Sequence, residues 1–135
     1  MEFKLDNPIV ATIGKELYKV KVVWRKGIFF GDEPENIGGK DTGPDPFTLF
    51  LSSLATCTIS TLRMYVDKKE WNIPEISVSV NMYQTIGEDL TTTIVRDIHF
   101  SETIDEDQKQ RLLTIAKKCP ISKILENKIL INTQI

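Results

Sequence analysis

Residues 38–57 run Gly38-Gly39-Lys40-Asp41-Thr42-Gly43-Pro44-Asp45-Pro46-Phe47-Thr48-Leu49-Phe50-Leu51-Ser52-Ser53-Leu54-Ala55-Thr56-Cys57, and the change of character along them decides the fold. The first nine residues are dense in glycine, proline and aspartate, which favour turns over strands and helices. Pro46 then opens a helix, because its missing N–H had no partner in the first turn anyway, and Asp45 stands where the N-cap is needed. Phe47, Phe50, Leu51, Leu54, Thr58, Thr61, Leu62 and Tyr65 recur at helical spacing. The small residues Ser52, Ser53, Ala55, Thr56 and Ser60 occupy the other faces, where another backbone can come close. Such a helix is expected to be buried on most sides, which one short chain cannot achieve, so it reads as the core of an oligomer. It ends around Lys68 to Asn72, with Pro74 just beyond.

Upstream, the chain reads as strands. Val20, Val22 and Trp24 alternate with Lys19, Lys21 and Val23, a period of two with one apolar face. Lys26-Gly27 turns into Ile28-Phe29-Phe30, and Ile9 to Ile13 gives an earlier strand ending at Gly14, so a three-stranded antiparallel sheet is expected. Downstream, Ile76, Val78, Val80 and Met82 alternate with Ser77, Ser79 and Asn81. Gly87-Glu88-Asp89 turns this strand back into Thr91 to Phe100, with Thr92, Ile94, Ile98 and Phe100 as its marked residues. Asp105 with Gln108 forms a capping-box pattern opening a helix to Lys117, which Cys119-Pro120 breaks. A short turn or helix over 121–125 and a closing strand at Ile129-Leu130-Ile131 complete the order. The fold class is α+β, a single domain over 1–135 with an N-terminal β-sheet region (1–37) and a helix-and-sheet region (45–135) carrying both cysteines.

The chain has 135 residues, 41% apolar and 27% charged, with a net charge of −2. Acidic and basic residues are mixed, which leaves no basic face for nucleic acid or an anionic membrane. The N-terminal Met1-Glu2-Phe3-Lys4-Leu5-Asp6 lacks an apolar core of the signal-peptide kind, and the apolar stretch near 47–54 is too short to span a bilayer. A cytoplasmic protein is expected. In a reducing compartment two cysteines are either buried fillers or reactive thiols, not a permanent staple. One histidine, His99, and two isolated cysteines do not make a metal site, and His99 reads as an ordinary strand-surface residue. No phosphate-binding glycine motif is present.

Cys57 lies well inside the long helix, beyond reach of the helix dipole, so a reactive thiolate there needs a cation from elsewhere in the fold. Cys119 precedes Pro120 and so stands near an N-cap with free backbone donors, among Lys117, Lys118 and Lys123. Two thiols remote in sequence but adjacent in space form a reversible disulfide: one attacks an electrophilic oxygen or sulfur and the other resolves the product. Spacing alone leaves that adjacency open.

Residues 38–57 resemble the OsmC/Ohr signature, a Gly-Pro-Ser-Pro-like turn feeding an apolar, small-residue helix that leads to a cysteine. Ala116-Lys117-Lys118-Cys119-Pro120-Ile121-Ser122-Lys123 is similar to the family's second motif, a helix end followed by Cys-Pro. The resemblance implies an intertwined homodimer with the long helices central and the sheets outside. It implies thiol-dependent reduction of hydroperoxides, organic ones above all, with Cys57 the attacking thiol and Cys119 the resolving one. A dithiol reductant, of lipoyl type in such relatives, would reopen the disulfide, and no metal, flavin or haem would be needed. Relatives with strong peroxidase activity carry a glutamate nine or ten residues before the first cysteine, paired with an arginine from the N-terminal sheet. Here those positions hold Thr48 and Phe47, while Arg25 after Trp24 stands at about the place of the arginine, either in that role or as a solvated turn residue, with Lys26 and Lys40 as substitutes. The missing carboxylate implies a low peroxidase rate or a different substrate. The alternative is a non-catalytic dimer binding a small apolar or sulfur-containing ligand in an interface pocket lined by Phe47, Phe50 and Leu54.

Overall fold

The computed structural model describes residues 2–135. They form two compact units, residues 2–50 and Leu51–Ile135. In the first unit, strands β1 (Val10–Ile13), β2 (Val20–Trp24) and β3 (Gly27–Gly31) make an antiparallel sheet in the order β1-β2-β3. Val22 pairs with Ala11 on one side and Phe29 on the other. It is the strand residue most removed from water after Gly31, while Ile13, Trp24, Ile28, Phe29 and Phe30 stay exposed.

The turn-rich segment after β3 is ordered by polar contacts. Asp32, only 3% exposed, accepts the Glu33 amide at 2.8 Å, the Thr42 amide at 3.1 Å and the Thr42 hydroxyl at 2.6 Å. The Thr42 hydroxyl and the Glu33 amide, opposed by burial, hold its carboxyl well below the usual range. Gly39 packs on the Glu33 backbone and Gly43 on the Phe30 carbonyl so closely that a Cβ at either would overlap them. Helix α1 (Pro46–Lys68) starts as expected: Asp45 accepts from the Thr48 hydroxyl and amide, and its carbonyl accepts the Leu49 amide at 3.0 Å.

The second unit holds the rest of α1, a hairpin of β4 (Ile76–Ile86) and β5 (Leu90–Phe100), and helices α2 (Glu106–Lys117) and α3 (Pro120–Leu125). Its core is Leu62 and Val66 of α1 with Ile73, Ile76, Leu112 and Ala116. Leu62 has no exposure at all, a burial that contributes about 1.5–3 kcal/mol. Tyr65 meets Trp71 edge to face with centroids 5.5 Å apart. Arg63 ties the end of α1 to the following loop, donating to the Ile73 and Pro74 carbonyls at 2.8 and 3.1 Å. The Asp105–Gln108 capping box forms in full at the start of α2.

Two expectations change, the apolar stretch read as too short to span a bilayer and the closing strand, while the limited burial of α1 within one chain is as expected. Within this chain α1 buries a single stripe, Leu54, Thr58, Leu62 and Val66, and leaves Phe47, Phe50 and Met64 exposed. By length and composition α1 also passes as a membrane span, with mean hydropathy 1.3, as the core helix of a soluble protein does. The closing strand does not form: residues 129–131 carry no ladder bonds, and Ile129, Leu130 and Ile131 are 54%, 73% and 85% exposed. β4 and β5 pair only with each other, so among the described residues no strand edge takes that β-prone triplet up.

Candidate active site

The local sequence around Cys119 builds an unusual cap. Pro120 occupies the first turn of α3, and Cys119 is its N-cap, with Sγ in the place of the usual oxygen acceptor. The Ser122 amide donates to Sγ at 3.3 Å, and the Ser122 hydroxyl lies 3.1 Å from it. The Ile121 amide, next along the same turn, favours the charged form of Cys57.

Cys57 comes from the middle of α1 and is half-buried, whereas Cys119 has no exposure. The two thiols are near enough to perturb each other's ionisation, and both are reduced. Burial pushes the Cys57 thiol up, and the neighbouring Cys119 sulfur adds to this against the Ile121 amide and Thr61. Burial also pushes Cys119 up, but the Ser122 hydroxyl, the Ser122 amide and Cys57 outweigh it and leave that thiol below its ordinary value.

Behind the sulfurs stands Arg96. Its Nη1 donates to Thr58 Oγ1 at 2.9 Å and to Ser122 Oγ at 2.8 Å. Thr58, fully buried next to Cys57, gives its own hydrogen to the Leu54 carbonyl at 2.7 Å. Arg96 thus locks α1 to α3 through two hydroxyls. It also lines a cavity of about 410 Å³ with Leu54, Ile94, Ile98, Leu113 and Ser122.

The sequence reading missed Arg96, although a signal was there. On β5, Ile94, Arg96, Ile98 and Phe100 are inward and partly buried, while Val95, Asp97 and His99 are exposed. An arginine in the apolar register of a strand needs polar partners inside the fold. His99 is, as expected, a strand-surface residue.

Arg25 belongs to the first unit, at the β2–β3 turn, with its guanidinium carbon 5.5 Å from the Trp24 ring centroid. In that unit Lys40 pairs with Glu16 at 3.4 Å. The Thr48 hydroxyl is engaged by Asp45, and Phe47 is 63% exposed. Among the described residues no group of His, Cys, Asp and Glu is arranged to hold a metal ion.

Solved structures of the same fold include a Psychrobacter arcticus protein assigned to the osmotic-stress and detoxification response. It is 18% identical, with 92% of this chain and 91% of that chain covered and a TM-score of 0.74. An organic hydroperoxide resistance protein OsmC from Legionella pneumophila matches at 19% identity, 90% and 91% coverage and TM-score 0.65. The organic hydroperoxide resistance protein OhrB of Bacillus subtilis matches at 21% identity, 87% of each chain and TM-score 0.60. None of the curated proteins matches this sequence. The family model for OsmC-like proteins matches residues 39–134, from the turn that precedes α1 to the residues beyond α3, and the chain belongs to that family.

Proposed function

We propose that this chain is a cysteine-dependent hydroperoxide reductase that serves oxidative-stress defence as a cytoplasmic homodimer. The observation that carries this reading is the pair itself: two reduced thiols near enough to perturb each other's ionisation, one half-open and one sealed, across 62 residues of sequence. Half-buried Cys57 is the sulfur a peroxide reaches first. Its sulfur takes the distal oxygen of ROOH, the O–O bond breaks, and ROH leaves with Cys57 as a sulfenic acid. Cys119 then attacks that sulfur and water departs, leaving a Cys57–Cys119 disulfide. A dithiol reductant, of lipoyl type by analogy with the family, returns both thiols. The homodimer reading is supported by the apolar surface α1 leaves uncovered at Phe47, Phe50 and Met64. Arg25 remains a candidate for supporting the thiolate at the assembled site.

Titration with one equivalent of cumene hydroperoxide tests the proposal. The expected result is loss of two thiols per chain and a Cys57–Cys119 disulfide by mass spectrometry. Unchanged thiols would reject the enzyme. A second reading, a non-catalytic dimer that binds a small apolar or sulfur-containing ligand, is favoured by one observation. The helix positions where relatives carry a carboxylate hold exposed Phe47 and Thr48, whose hydroxyl is tied to Asp45.

A further inference from the structure

We propose that Arg96 is a positioning residue for the second half of the thiol cycle: one of its nitrogens clamps α3 to α1 and so holds the Cys119 sulfur where it displaces the group left on Cys57. The inference rests on the thiol-pair reading above and adds the residue that governs resolution, which that reading leaves open.

A terminal guanidinium nitrogen carries two hydrogens. Arg96 Nη1 directs both to hydroxyls, Thr58 Oγ1 at 2.9 Å and Ser122 Oγ at 2.8 Å. Thr58 follows Cys57 in α1, and Ser122 holds its hydroxyl 3.1 Å and its amide 3.3 Å from the Cys119 sulfur. A single nitrogen on β5 therefore joins the two segments that carry the thiols. Thr58 Oγ1 lies 3.9 Å from the Cys119 sulfur as well. Its own hydrogen goes to the Leu54 carbonyl at 2.7 Å, which fixes the threonine to the backbone of α1.

The two helices differ in how much they need such a clamp. α1 has 23 residues and packs through Leu54, Thr58, Leu62 and Val66, so Cys57 keeps its place without Arg96. α3 has six residues, too few to be stable alone, and its N-cap acceptor is a sulfur, which receives donors weakly. Ser122 is the buried residue of α3, and its hydroxyl is held from across the fold by Arg96. Bridging draws the sulfurs to about 2 Å, so the Cys119 sulfur moves relative to its cap partners as the bond forms. The Arg96–Ser122 bond does not pass through that sulfur and keeps α3 in place during the move. A tethered nucleophile reacts at a rate set by how often it stands in line with its target. Releasing α3 lowers that fraction for Cys119 and leaves the half-open Cys57 as it was.

The step balances. The Cys119 thiolate attacks the Cys57 sulfenic acid, the S–S bond forms, the S–O bond breaks, and hydroxide departs. The same half of the cycle can be read without peroxide by using the aromatic disulfide dithionitrobenzoate as oxidant. The Cys57 thiolate breaks the reagent's S–S bond and releases one thionitrobenzoate. The Cys119 thiolate then breaks the mixed disulfide on Cys57 and releases the second. Attack and resolution thus become two phases of colour.

The test follows both phases in the reduced full chain, at a pH high enough that neither rate rises further, so that thiol ionisation does not enter. Arg96→Gln should slow the second phase about tenfold and leave the first within about twofold. Arg96→Lys should recover part of the loss, because an ammonium donates to the same hydroxyls. Ser122→Ala cuts one end of the clamp, keeps the Arg96 charge and should slow the second phase alone; it reads the link should Arg96→Gln fail to fold. The double variant Arg96→Gln/Ser122→Ala should be no slower than Arg96→Gln, since both remove one bond, and fully additive losses would overturn the proposal. So would a second phase at the parent's rate in both single variants, a first phase slowed as much as the second, or a parent chain that releases only one equivalent. A chain whose second phase depends on Arg96 yet whose thiols ignore cumene hydroperoxide keeps this inference and loses the peroxidase reading.

Discussion

The two units reach order by opposite means. In the first, most apolar strand residues stay in contact with water, and the order comes from polar bonds and close backbone packing, with Asp32 gathering Glu33 and Thr42 and glycine at 39 and 43. In the second, six apolar residues from α1, the following loop, β4 and α2 close a core, and the polar groups gather at one place, around the two sulfurs. A dry, packed frame can hold polar groups and their partners at fixed distances, because low polarity strengthens each hydrogen bond and packing prevents relaxation. Both cysteines sit on the unit with the core.

That contrast can be attacked first at the sulfurs. Cys57→Ser should lower hydroperoxide turnover by roughly a thousandfold or more, to the uncatalysed rate, while Cys119→Ser should consume one equivalent and accumulate a dimedone-reactive sulfenic acid. Next comes the core beneath them. Leu62→Ala, at a site with no exposure, should cost about 2–5 kcal/mol in urea unfolding, and a loss under 1 kcal/mol would show the core to be looser than its packing. In the first unit, Gly39→Ala forces a Cβ onto the Glu33 backbone and should cost about 1–3 kcal/mol by thermal unfolding. The smallest effect is a pH effect. The folded carboxyl of Asp32 is lowered relative to the unfolded value near 3.8, so its contribution is complete above that value and is lost as pH falls through the folded one. Asp32→Asn should accelerate amide exchange at Glu33 and Thr42 in neutral solution, and the gap from the parent protein should close progressively below about pH 4. A gap that widens in acid would contradict the sign.

Much of this was legible in the sequence, and the legible part has a common range. The alternation of Val20–Trp24 and of Ile76–Met82, the Asp45–Pro46 start of α1, the Asp105–Gln108 box and the Cys119–Pro120 cap are all bonds or patterns closed within four or so residues. The family resemblance lay in the same local stretches, and the matching family model spans them. The closing strand misled for the opposite reason: Ile129–Ile131 has strand composition, but a strand exists only where a neighbouring edge accepts its backbone.

Arg96 marks the other limit. Its partners lie 38 and 26 residues away, and it reaches them because the β4–β5 register sets Val80 opposite Arg96 and turns that position toward α1 and α3. Side-chain types, spacing and local caps were determined by the sequence alone, since each is settled by neighbours along the chain. Which polar groups gather around the two sulfurs, Arg96 through Thr58 and Ser122 among them, was decided only by tertiary structure, because such contacts depend on distance through space, which is not a property of sequence separation.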